Sequence, residues 1–188
     1  MRSMLVLASR SPRRREILRN AGIPFVVRPP EPVDETPLPG ESPRDYVLRL
    51  ALAKARATPA GRGEIILAAD TAVVAGREIL GKPAGAADAF RMLRLLSGRR
   101  HEVITGICLL AGDPVLDTSV TRVWFAPLSE EEIRAYVESG EPMDKAGAYA
   151  IQGLASKFIP RIAGCYFNVV GLPLALVYQH LRSLRGKV

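Results

Sequence analysis

The chain opens on an unbroken apolar run, Met4-Leu-Val-Leu-Ala8, short enough for a buried strand. Polar and basic residues follow at once, Ser9-Arg-Ser-Pro-Arg-Arg14, and then Ile17, Leu18 and Ala21 recur at helical spacing as far as Gly22. Ile23 to Val27 predicts a second strand, and residues 28 to 43, rich in Pro, Glu and Asp, predict a loop. Ser42-Pro43 starts a helix as N-cap and first-turn proline, with Val47, Leu50, Ala51, Ala53 and Ala57 on its apolar side. Glu64 to Ala69 predicts a strand that ends in Asp70-Thr71, and Ala72 to Leu80 a hairpin turning at Ala75-Gly76. Ala86 to Leu96 is the next helix, closed by Ser97-Gly98. Val103 to Ala111 and Val115 to Phe125, joined by Gly112-Asp113-Pro114, predict an antiparallel pair. Ser129 to Glu132 is a capping box for a helix ending near Gly140. Residues 144 to 164 carry no clear period, and Gly171-Leu-Pro173 precedes a last helix to about Leu184. Strands and helices alternate at first and two strands then run consecutively, which predicts an α/β fold with a mixed sheet.

Composition narrows the function classes only a little. A length of 188 residues suits one large domain, or two lobes that share a core. No apolar run of membrane-spanning length occurs, and the basic cluster after Leu7 is in the wrong place for a signal peptide. Cys108 and Cys165 are far apart and unpaired in spacing, which predicts reduced thiols in a cytoplasmic protein rather than a disulfide or zinc framework. The net charge of +7 points to anionic partners or to solubility alone. A nucleic-acid surface is not expected, because the five Tyr, five Phe and one Trp form no evident stacking face. The 21 Arg outnumber the 5 Lys, so a lysine is the unusual choice, and Lys54, Lys82 and Lys145 all fall within candidate motifs. His101 and His180 sit in no triad pattern, and neither a Walker A nor a G-x-G-x-x-G fingerprint is present.

Five constellations carry candidate chemistry. In Ser9-Arg-Ser-Pro-Arg-Arg14, Ser11 caps a helix and Arg13 and Arg14 fall in its first turn, against the positive end of the dipole. A bound phosphate reverses that penalty, with Ser9 and free backbone N–H groups assisting; arginines paired to surface acids are the alternative. Asp34-Glu35 offers adjacent carboxylates suited to Mg²⁺, or a solvated turn. Asp70, at the end of its predicted strand, stands where α/β proteins place ligands, and burial there would raise its pKa towards that of a general base; it could also merely cap the following turn. Gly81-Lys82-Pro83 holds a lysine on a fixed loop, fit for phosphate or simply exposed. Gln152, between small residues and Gly153, can donate and accept and so suits a pyrimidine edge, though an ordinary strand position is equally consistent with its spacing.

Taken together, these residues resemble the Maf family of nucleotide pyrophosphatases. The matching pieces are Leu7-Ala-Ser-Arg-Ser-Pro-Arg-Arg14, Val33-Asp-Glu35, Lys54-Ala, Ala69-Asp-Thr71, Gly81-Lys-Pro83, Leu96-Ser-Gly98, Asp144-Lys-Ala-Gly-Ala-Tyr149, Ile151-Gln-Gly153 and Val169-Val-Gly-Leu-Pro173. They run in the family's order along nearly the whole chain.

The resemblance implies a two-lobed, Maf/ITPase-like α/β fold: an elongated mixed sheet flanked by helices, with a central cleft. It implies hydrolysis of a nucleoside triphosphate to the monophosphate and pyrophosphate with a divalent cation, Mg²⁺ or Mn²⁺. Asp70 would be the general base. Ser9, Arg13, Arg14, Lys54 and Lys82 would hold the triphosphate. Glu35, with Asp34 where the family often has a second glutamate, would hold the metal together with Asp70. The Arg-Arg, Asp-Thr and Ile-Gln-Gly signatures resemble the subclass acting on dTTP and UTP, with Arg13, Thr71 and Gln152 setting base preference. A cytoplasmic homodimer and a house-cleaning role fit the family. Its name also reflects an effect on septum formation, so a nucleotide-binding regulator without turnover is the competing expectation. Binding alone needs neither a base nor metal ligands, and that is what separates the two.

Overall fold

A computed structural model describes residues 3–185. Seven strands form one sheet in the order β2-β1-β3-β5-β6-β7, with β4 paired to β3 alone. The strands are β1 (Met4–Leu7), β2 (Val26–Val27), β3 (Glu64–Ala75), β4 (Glu78–Leu80), β5 (Arg100–Ala111), β6 (Asp113–Trp124) and β7 (Arg161–Ala163). The helices are α1 (Pro12–Asn20), α2 (Pro43–Arg56), α3 (Ala86–Leu96), α4 (Glu130–Glu138), α5 (Tyr166–Val170) and α6 (Leu174–Arg185). β1 runs parallel to both β2 and β3, whereas β3–β4 and β6–β7 are antiparallel, so the expected mixed α/β sheet is present.

The chain clusters into two compact units. Met1–Asp70, Thr105–Ser119 and Gly171–Val188 form the first; Thr71–Ile104 and Val120–Val170 form the second. In the first, Val6, Ala8, Ile66, Ala68 and Cys108 pack with Ala51 and Ala55 of α2. Small side chains bring that helix close to the sheet. At Gly106 a Cβ would stand 2.6 Å from the Val47 carbonyl oxygen, so only hydrogen fits between β5 and α2. In the second unit, α3 and α4 cover a core that includes Val73, Leu93, Val103, Phe125, Tyr149 and Phe158.

Local signals hold well at the helix starts. Ser11, Ser42 and Ser129 each accept from the backbone N–H three residues on, and Ser129 and Glu132 form the complete capping box. Other expectations need correction. β2 is only two residues long, because Pro24 has no N–H to give a ladder. The strand holding Asp70 does not end there. β3 continues to Ala75, since Ala72, Val73 and Val74 are buried and no turn-forming residue comes before Gly76. Gly112, at φ 92, makes most of the β5–β6 turn alone, so β6 already begins at Asp113. Glu141–Asp144, Ala146–Ala148 and Leu154–Phe158 form three 3₁₀ turns, and α5 was not expected at all. Phe125, Tyr136, Tyr149 and Phe158, scattered in sequence, gather in the core of the second unit. Phe125 lies 4.9 Å from Tyr149 and 5.2 Å from His101 between ring centroids, and Tyr136 stacks edge-on against Phe158. They are core, not a stacking surface. Both cysteines are free thiols, and Cys108 is buried.

Candidate active site

Asp70 shares one face of β3 with Ile66 and Ala68 by strand alternation, the face that packs on α2. It is 8% exposed. Lys54, in the last turn of α2, holds its Nζ 2.5 Å from Asp70 Oδ1 and 2.7 Å from Glu35 Oε1. One ammonium thus joins a buried carboxylate to an exposed one. Burial raises the pKa of Asp70 above the usual carboxylate value, and Lys54 and Arg14 oppose that shift without cancelling it. A carboxylate of this kind is more basic than one in water and is paired with a neighbour that can itself contact phosphate.

The loop bearing Glu35 is pinned to α2. Tyr46 donates to the Glu35 carbonyl at 3.0 Å, and Arg49 Nη2 donates to the Thr36 carbonyl at 3.0 Å. Arg49 is itself fixed by Glu41 at 2.6 Å. Asp34, the other acid of the pair, accepts from Thr36 N at 2.9 Å through Oδ1, and hydrogen bonding to the Thr36 side chain and then its backbone lowers its pKa. It closes its own turn, as an Asx motif does. Only Glu35 joins Lys54 and Asp70.

Glu35 and Asp70 direct hard carboxylate oxygens at a single cationic position. That donor pair fits Mg²⁺ or Mn²⁺, ions that keep several waters and bind through one or two carboxylates plus phosphate oxygens. Among the described residues, no three His, Cys, Asp or Glu cluster in a way that could hold a metal.

Arg14 is anchored to backbone carbonyls. Its Nη1 donates to the Ala69 carbonyl at 2.8 Å and its Nε to the Gly171 carbonyl at 2.8 Å. Burial lowers its pKa, with the negative charge of Asp70 opposing. The charge near the α1 N-terminus is therefore offset by carbonyls and by Asp70, without any need for a bound anion. The backbone N–H groups expected to be free are partly used as well. Ser11 N donates to Ser9 Oγ at 3.1 Å and Arg14 N to Ser11 Oγ at 3.5 Å. Ser9 is buried but retains its own O–H to donate. Arg13, beside it on α1, is half-buried.

In the second unit, Thr71 is half-buried on β3 and Lys82 is exposed. The Gly81-Lys82-Pro83 loop is fixed where Gly147 N donates to the Gly81 carbonyl at 3.0 Å. Gly147 needs both its positive φ of 68 and its lack of a Cβ, which would stand 2.8 Å from the Val73 side chain. Ala148 follows at φ 59, a left-handed conformation that side chains rarely adopt, and it is fully buried. Gln152 is exposed, in a turn rather than a strand.

Two residues overlooked in the sequence, Tyr136 and Glu141, hold that turn. Tyr136 Oη donates to Glu141 Oε1 at 2.7 Å and accepts from Ala150 N at 3.2 Å, while Glu141 Oε2 accepts from Leu154 N at 3.0 Å. The only sequence signal was an acid between a glycine and a proline just after a helix.

A family model described as Maf-like protein matches residues 4–184. This chain belongs to the Maf-like family. Among its Maf-like relatives, a dTTP/UTP pyrophosphatase of Anaeromyxobacter dehalogenans (strain 2CP-C) is 57% identical over 97% of this chain and 94% of its own. The protein of the same description from Symbiobacterium thermophilum is 57% identical over 94% of this chain and 92% of its own. That from Geobacter metallireducens is 54% identical over 97% and 96%. Among the described residues of this Maf-like chain, no helix is long and apolar enough to cross a membrane.

Proposed function

We propose that this Maf-like protein hydrolyses dTTP and UTP to the nucleoside monophosphate and pyrophosphate. The observation that carries the reading is the buried Asp70 carboxylate, with a raised pKa, held against Lys54 and Glu35. Asp70 takes a proton from the water that attacks the α-phosphorus. Lys54 pairs with Asp70 until substrate arrives and then shares its charge with the phosphates. Ser9, Arg13, Arg14 and Lys82 bind the remaining phosphate oxygens, with Arg14 contributing mainly by holding the backbone at Ala69 and Gly171. Glu35 and Asp70 are the residues that would hold a divalent cation, which supplies charge neutralisation on the phosphate oxygens when bound. Arg13, Thr71 and Gln152 set the preference for thymine and uracil. The pyrimidine substrates come from the names of relatives more than half identical to this chain. Removal of non-standard nucleotides, in a cytoplasmic homodimer, is the cellular role that accompanies this reading. A regulator that only binds nucleotide has no need of a buried carboxylate on a cation, and no observation favours it.

Turnover of dTTP, UTP, CTP and ATP in H₂¹⁸O with Mg²⁺ or Mn²⁺, followed by chromatography and mass spectrometry, tests the reading. The label is expected in the monophosphate, with pyrophosphate as the second product. Label in orthophosphate, or no turnover with either metal, would overturn it.

A further inference from the structure

The turn that presents Gln152 is held more firmly than an exposed turn requires. It lies at Ile151–Gly153, and Gly153 N closes it on the Ala150 carbonyl at 3.1 Å. Two side chains grip its flanks. Ala150 N, on the near side, donates to Tyr136 Oη at 3.2 Å. Leu154 N, on the far side, donates to Glu141 Oε2 at 3.0 Å. The two grips are one unit, because Tyr136 donates to the other oxygen of the same carboxylate at 2.7 Å. The tyrosine itself is fixed. It is buried on α4, and its ring meets Phe158 edge-on at 5.6 Å. Glu141 is fixed through its own main chain, where Lys145 Nζ donates to its carbonyl at 3.2 Å and its N–H donates to Ser139 Oγ at 3.3 Å.

A carboxylate is the chemistry this clamp needs. Its two oxygens accept from two different donors, the Tyr136 hydroxyl and the Leu154 N–H. A glutamine has one acceptor oxygen and must turn an NH₂ towards one of those donors. The carboxylate also fills the space next to the turn. A Cβ on Gly153 would stand 2.2 Å from Glu141 Oε2, so the glycine that follows Gln152 answers to Glu141.

We propose that Tyr136 and Glu141 are positioning residues for base selection: together they set the turn through which Gln152 meets the pyrimidine. This rests on the assignment of Gln152 to the base given above. Neither residue touches the nucleotide. They act by fixing where the amide of Gln152 stands, so their loss alters discrimination between bases and leaves the handling of the phosphates alone.

The experiment compares wild type with Tyr136→Phe, Glu141→Gln, the double variant and Gln152→Ala. For each, kcat/KM is measured on dTTP, UTP, CTP and ATP, with inhibition by inorganic tripolyphosphate as a readout of the phosphate-binding residues. Tyr136→Phe and Glu141→Gln are expected to lower kcat/KM for dTTP and UTP by about tenfold, mostly through KM, and to narrow the ratio to CTP and ATP. Tripolyphosphate inhibition is expected to stay at the wild-type value, and the double variant to be no worse than the poorer single one. A merely structural role would depress all four substrates alike and weaken tripolyphosphate inhibition with them; that pattern overturns the proposal. An unchanged base ratio in both single variants, where Gln152→Ala narrows it, also overturns the clamp and leaves Gln152 in place. An unchanged ratio in Gln152→Ala overturns the assignment of Gln152 itself, and the clamp's role in base selection goes with it. Tyr136→Phe loses one hydroxyl and no volume, so it carries the test if Glu141→Gln does not fold.

Discussion

Lys54 Nζ stands 2.5 Å from Asp70 Oδ1, and these two residues, sixteen apart in sequence, come from different elements, α2 and β3. The contact reconciles two demands on a catalytic carboxylate. Burial makes Asp70 more basic, and the ammonium opposes that shift by favouring the charged form. Neither effect alone suits a general base: an isolated buried carboxylate takes up a proton, and a solvated, ion-paired one is too weak a base.

Asp70→Asn keeps the shape of the side chain and removes its charge and basicity. We expect kcat to fall by about 10²- to 10⁴-fold while dTTP binding, followed by calorimetry, persists. Near-normal turnover would remove Asp70 from the chemistry.

The two acids of the loop separate by partner. Glu35 faces Lys54, whereas Asp34 is spent on Thr36 N. Glu35→Gln is expected to raise the Mg²⁺ or Mn²⁺ concentration for half-maximal rate by roughly tenfold or more, and Asp34→Asn to move it little. Metal titrations of the chelator-treated protein check this. Equal shifts in the two variants would return Asp34 to the metal.

Gly106→Ala puts a methyl group against backbone, 2.6 Å from the Val47 carbonyl oxygen, where no side chain can yield. α2 must then move from β5. We expect a loss of about 2 kcal/mol or more in urea unfolding, and reduced activity, because the displaced helix carries Lys54. A Gly106→Ala protein with wild-type stability would show that the close approach of α2 to β5 is not needed.

Burial pushes the His101 imidazole down to about 4 from its ordinary 6.5, with Nε2 2.8 Å from Tyr149 Oη and Nδ1 lacking a partner. The unfolded chain takes up this proton near 6.5 and the folded protein only near 4. Between those values the unfolded state binds more protons, so stability falls as pH falls. The loss from this group should reach about 3 kcal/mol by pH 4. Urea melts from pH 7 to pH 4 measure it, and His101→Phe should flatten the slope. An equal slope in both proteins would place the acid sensitivity elsewhere.

Much of the fold is legible without coordinates because its signals are short-range. Ser11, Ser42 and Ser129 each announce a helix through a contact three residues away, and proline follows the first two directly. The misreadings share the opposite cause. Asp70-Thr71 looked like a strand end because two polar residues interrupt an apolar run, yet β3 runs on since its next residues are buried by elements far along the chain. Nor could spacing show that Arg14, in the first turn of α1, also donates to the Gly171 carbonyl, 157 residues away.

The sequence by itself determined the α/β class, the helix starts, the family and the set of residues from which a site is drawn. Caps, periodicity and ordered motifs all act over a few positions, so they survive in one dimension. Tertiary structure alone decided which of those residues work together, that Lys54 joins Asp70 to Glu35 and that Asp34 closes its own turn, and it alone brought in Tyr136 and Glu141, which grip the turn carrying Gln152. Basicity, burial and hydrogen-bond partnership depend on what folding brings within about 3 Å, and linear spacing does not carry that information.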